Sequence, residues 1–135
     1  MLNPHIESGV ACLRTKWPQS HALAGEHGQH LVLVPGVLLP KGYDKTICTV
    51  LFIAPPGYPA ACPDHFFTDI GIRLENKAFP HHALPTGSNN TPLKHWPQWE
   101  GNCQWWSWHL QAWDPNRSSL YTYMMVIRQR LSPAR

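Results

Sequence analysis

The sequence predicts an α+β architecture, and three observations carry that expectation. Fourteen prolines in 135 residues break any long helix, because an interior proline costs about 3 kcal/mol. A continuous apolar, β-branched run over 46–54 marks a strand near the middle of a sheet. Apolar residues at helical spacing frame both ends of the chain. With 43% hydrophobic and 14% charged residues, the chain can build a core and carries too little charge for disorder. Its length suits one domain over 1–135.

Taken in order, Ile6, Val10, Leu13 and Trp17 fall four, three and four apart, lining one face of a short N-terminal helix over 5–17 despite Gly9 inside it. The turn Gly25-Glu26-His27-Gly28 leads into a strand over 30–39, kinked or bulged at Pro35-Gly36. Residues 41–45 make the hairpin turn before the strand over 46–54. Pro55-Pro56-Gly57-Tyr58-Pro59 cannot donate a regular ladder, so it forms an ordered loop that Cys62-Pro63-Asp64 closes. A third main strand is expected over 65–74. The stretch 75–100 is rich in Pro, His, Gly and Asn without periodicity, the pattern of a long functional loop.

Beyond it, Cys103, Trp106, Leu110 and Trp113 lie three, four and three apart, which predicts a helix. Asp114 before Pro115 then reads as the cap and first position of a final helix. Its inward face is Leu120, Met124, Ile127 and Leu131, with Arg128 and Arg130 near the favourable C-terminal end. The expectation is a short N-terminal helix, an antiparallel meander of three or four strands, a long irregular loop and two C-terminal helices.

Several function classes lose support. A net charge of +3 with no dense basic run does not make a nucleic-acid surface. No stretch approaches about 18 apolar residues and no signal-peptide pattern opens the chain, so a cytoplasmic protein without membrane contact is expected. Cys12, Cys48, Cys62 and Cys103 are scattered, which favours reduced thiols, and no two cysteines lie two to four residues apart as structural zinc needs, Cys62/His65 and His81-His82 being the only near approaches. No phosphate-binding glycine loop or Gly-x-Ser-x-Gly elbow is present, and no cofactor is expected. The tryptophans over 96–113 suit packing better than a carbohydrate or peptide groove.

Among the thiols, Cys12 and Cys48 sit in apolar surroundings and read as core, while Cys62 lies in the proline-rich loop. Cys103 follows the Glu100-Gly101-Asn102 turn, so the first turn of the expected helix would lower its pKa and suit a nucleophile. Packing is the competing reading. His109 is the nearest candidate base, but six residues along a helix it faces elsewhere, and spacing alone makes no dyad.

Over about 23–131 the order of segments resembles the ubiquitin-conjugating enzyme superfamily, particularly its bacterial branch, family E. Strand 46–54 runs into Pro56-Gly57-Tyr58-Pro59 and Pro63-Asp64-His65-Phe66-Phe67, similar to the Tyr-Pro-x-x-Pro-Pro loop and following strand of that superfamily. Gly101-Asn102-Cys103, ten residues before Trp113-Asp114-Pro115, resembles the glycine-x-cysteine segment and the Trp-Ser-Pro that opens the next helix. Gln104-Trp105-Trp106-Ser107-Trp108-His109 and the terminal helix are similar to the bacterial branch.

The resemblance implies a ubiquitin-conjugating-like fold and an acyl transferase. Such a protein takes a ubiquitin-like modifier from an adenylating activating enzyme as a cysteine thioester and passes it to a target amine. A thioester keeps the acyl group reactive, so transfer needs little beyond positioning and oxyanion stabilisation. Cys103 matches the nucleophile, and His109 matches a recurrent histidine of the bacterial branch. The His-Pro-Asn tripeptide of the eukaryotic enzymes is absent, with Phe79-Pro80-His81-His82 in its place. Asn102 and Asn76 are left as candidate oxyanion donors. The implied partners are a ubiquitin-like protein, the activating enzyme and a JAB-type metallopeptidase, in systems associated with antiphage defence. The alternative is a catalytically inactive scaffold of the same fold that binds a ubiquitin-like protein or the activating enzyme.

Overall fold

The computed structural model describes residues 3–81, 83–84, 92–108, 110 and 112–135. Helix α1 spans Pro4–Arg14. The Asn3 side chain accepts from the His5 amide at 2.7 Å, and Pro4 takes a position where no amide is missed. The helix is therefore shorter than the apolar spacing predicts, and Trp17 reaches the core from the turn behind it.

Six strands follow: β1 His21–Ala24, β2 His30–Leu38, β3 Ile47–Ala54, β4 Asp64–Asp69, β5 Ala83–Leu84 and β6 Cys103–Trp106. They form one sheet in the order β1-β2-β3-β4-β6-β5, antiparallel throughout. The β2–β3 register shifts between Val34 and Val37, at the expected Pro35-Gly36 kink, where Gly36 has φ +80°. Helix α2 spans Leu120–Leu131.

Period-two alternation divides the sheet residues between two cores. Val32, Val34, Val50, Phe52, Phe66 and Trp106 lie in the first core together with Ile6, Val10 and Leu13 of α1 and Tyr123, Met124 and Ile127 of α2. Leu31, Leu33, Leu51, Phe67 and Cys103 form the second, covered by Leu93 and Trp96. These last two belong to residues 92–102, a strap laid over that face. The two helices meet closely at Gly9, where a Cβ would stand 2.7 Å from Leu120 Cδ1.

The structure corrects five expectations. The meander of three or four strands grows to six, because β1 pairs with the outer side of β2, β4 on its far side with β6, and β6 with β5. The first of two expected C-terminal helices is absent, since Cys103–Trp106 is strand β6. Cys103 and Trp105 face the second core while Gln104 and Trp106 are buried with Thr68, and the Gln104 amide donates to the Ile72 carbonyl at 3.0 Å. An apolar run this short fits either period, and pairing with β4 decided it.

The final helix starts at Leu120, not at Pro115. Asp114 instead closes a single turn, its carbonyl accepting from Arg117 and Ser118 amides at 3.0 and 2.7 Å. Ser119, in extended conformation, supplies the cap and forms a reciprocal capping box with Thr122. The third main strand ends at Asp69 rather than at 74. Within 75–100, β5 and a 3₁₀ turn at Pro92–His95 replace an irregular loop, while 82 and 85–91 lie outside the described residues.

Candidate functional site

Gly101, at φ +81°, turns the strap into β6 and sets Cys103 opposite Asp69 across the β4–β6 ladder. Cys103 is 7% exposed, in the second core with Leu51, Phe67 and Trp96. Burial, reinforced by the Asp69 carboxylate, pushes its thiol up to about 12. The expected setting is thus overturned: there is no helix dipole at Cys103, and its surroundings favour the neutral thiol over the thiolate.

Of the other predicted site residues, Asn102 is exposed and donates its side-chain amide to the Gln98 carbonyl at 3.2 Å, an engagement inside the strap. The second N–H of that amide is left for another acceptor. Asn76 accepts from the Ala78 amide at 3.0 Å and shapes a tight turn. His109 lies outside the described residues, as does His82. His81 is tied to the C-terminal segment, its amide donating to the Arg135 carbonyl at 2.9 Å and its own carbonyl accepting from Arg130.

The remaining thiols also depart in part from expectation. Cys48 is buried in the first core as predicted, its thiol pushed up to about 12 by burial and Asp69. Cys12, expected in the core, is exposed, because the buried face of α1 is Ile6, Gly9, Val10 and Leu13. Cys62 is half-buried. All four are free. No group of three or more His, Cys, Asp or Glu among the described residues is arranged to hold a metal. No helix among them is long and apolar enough to cross a membrane.

What the tertiary structure does bring together are two distant sequence motifs. The Trp113 indole donates to the Pro59 carbonyl at 2.8 Å, and its ring lies 6.0 Å from that of Tyr58. This contact joins the proline-rich loop to the Trp-Asp-Pro turn. Beside it opens a groove of about 500 Å³ lined by Ser8 and Cys12 of α1, by Tyr58 and Pro59, and by Asn116 and Ser119. Spacing alone could not find it, because its walls come from three segments far apart in sequence. Behind Trp113, the buried Tyr123 ring lies 6.4 Å away and donates its hydroxyl to the His65 carbonyl at 2.7 Å.

An α+β sheet with an N-terminal helix, a proline-rich loop after β3 and a Trp-Asp-Pro turn before α2 fits a ubiquitin-conjugating-like protein in outline. The family model described as prokaryotic E2 family E matches residues 20–134, and the chain belongs to that family. No curated protein and no solved structure matches it.

Proposed function

We propose that the chain serves a bacterial ubiquitin-like pathway as a ubiquitin-conjugating-like scaffold, binding a ubiquitin-like protein or its activating enzyme without carrying a thioester. The observation that carries this reading is the burial of Cys103: attack on an activated acyl group needs an accessible thiolate, and this thiol has neither property in the folded chain. The groove between α1, the proline-rich loop and the Trp-Asp-Pro turn is the docking face in this reading. Family membership supports it, since two segments that carry the family resemblance line that groove.

A second reading, thioester carriage at Cys103, is favoured by the spacing of Gly101-Asn102-Cys103 before Trp113-Asp114-Pro115. The two are separated by incubating the chain with a cognate ubiquitin-like protein, activating enzyme and ATP, followed by a nonreducing gel. The scaffold reading expects complex formation with no thiol-sensitive band, unchanged in Cys103→Ala and weakened in Ser8→Trp. A thiol-sensitive adduct that vanishes in Cys103→Ala overturns it in favour of a conjugating acyl transferase.

A further inference from the structure

The buried face of α2 does not end in apolar residues alone. Leu120, Tyr123, Met124 and Ile127 point inward, and the same spacing carries that face on to Arg130 and Leu131. Arg130 is only 6% exposed, and a charged side chain is rarely buried so far unless it is paired. Its place in the last turn of the helix offsets part of that cost. The eight Asp and Glu residues of the chain all fall among the described ones. Among those described residues no ion pair involves Arg130.

Its contacts leave a gap in hydrogen bonding. Nη2 donates to the His81 carbonyl, and the guanidinium carbon lies 5.5 Å from the centre of the Trp106 ring, an attraction that consumes no N–H. Nη1 is buried without a partner, and so is the hydroxyl of Tyr43. Tyr43, 5% exposed, packs edge-on against the same Trp106 ring at 6.5 Å. The phenol and the guanidinium act on each other electrostatically but do not meet in hydrogen-bond geometry. Burial, with Arg135 adding to it, pulls Arg130 below its ordinary value; only the Tyr43 phenol opposes that shift, and no carboxylate does. Burial likewise pushes the Tyr43 phenol up.

We propose that Arg130 and Tyr43 form a binding site for a small inorganic anion, which accepts from Arg130 Nη1 and the Tyr43 hydroxyl and neutralises the buried charge. A buried cation beside two unfilled donors is the chemistry such an ion satisfies, and hydrogen bonds to it are of the strong, charge-assisted kind. Both donor atoms are covered, so the occupant is a bare ion of the size of chloride or phosphate and not a side chain of a docked protein. Arg135, at the surface, adds a second positive charge acting on both groups. Bound there, the ion ties the turn that carries Tyr43 to the last turn of α2 and, through Nη2, to His81. The proposal depends on neither reading of the function, because it needs no partner protein.

The test exchanges the chain into sodium gluconate, whose anion is too bulky for a covered site, and adds sodium chloride or sodium phosphate at constant ionic strength while thermal unfolding is followed. An ion that binds only the folded chain raises the midpoint along a saturating curve. Phosphate also stabilises proteins in general by exclusion from their surface, so Arg130→Met and Tyr43→Phe are run beside the unaltered chain. A saturable rise is expected in the unaltered chain with at least one of the two anions, and none in Arg130→Met. Tyr43→Phe should need at least about tenfold more of that anion, the effect of one lost hydrogen bond to a charged group. Equal rises in all three chains, or no saturable rise in the unaltered one, overturn the proposal. Should Arg130→Met fail to fold, Tyr43→Phe decides, and a curve coincident with that of the unaltered chain overturns it.

Discussion

Trp113 donates its indole proton to the Pro59 carbonyl at 2.8 Å, across a separation of 54 positions. This one hydrogen bond ties the proline-rich loop, which cannot form a ladder of its own, to the segment that enters α2. It therefore shapes the wall of the groove proposed above for partner docking.

Trp113→Phe keeps much of the ring contact with Tyr58 and Tyr123 but removes the donor. Stability is expected to fall by about 1 kcal/mol, the usual net value of such a bond, in urea unfolding. Partner binding should weaken with it; a variant that binds as the parent does would separate the groove from docking.

Thr68→Val conserves shape and leaves the buried Trp106 indole without its acceptor. A loss of about 1–3 kcal/mol is expected, because the donor stays desolvated and unpaired. Urea unfolding measures it, and a neutral result would mean that the indole finds another partner.

The start of α2 makes a comparative prediction. Ser119→Ala removes the cap and should cost about 1 kcal/mol. Asp114→Ala acts on a single exposed turn and should cost less than about 0.5 kcal/mol. Thermal unfolding of the two variants orders them, and the reverse order would restore the cap to Asp114.

Two buried thiols set a pH dependence. Cys48 and Cys103 hold their protons to about pH 12 in the folded chain, whereas unfolded thiols release theirs near about 8.5. Their contribution is full below the unfolded value and is lost as pH rises from there toward the folded value, because the unfolded state then binds fewer protons. Urea midpoints should fall between about pH 8 and about pH 10.5, and less steeply in Cys48→Val with Cys103→Val. A midpoint that stays level over this interval would show that the thiols ionise in the folded chain as readily as in the unfolded one.

Local pattern was enough wherever one element answers to one face. The spacing of Ile6, Val10 and Leu13 announces α1, the apolar run announces β3, and Pro35-Gly36 announces the bulge in β2. The order of motifs from the proline-rich loop to Trp113-Asp114-Pro115 likewise carries the family, which the match over 20–134 bears out.

The surroundings of Cys103 were decided elsewhere. Its spacing to Trp106, Leu110 and Trp113 suits a helix, and in isolation nothing in 103–106 outweighs that. Pairing with β4, partners for Gln104 and Trp106, and the strap overhead exist only once distant segments have met. Sequence by itself determined which residues alternate or repeat, because periodicity is a property of neighbours along the chain. Only the tertiary structure decided whether the thiol would be exposed and ionisable, because burial and charge depend on what lies beside it in space.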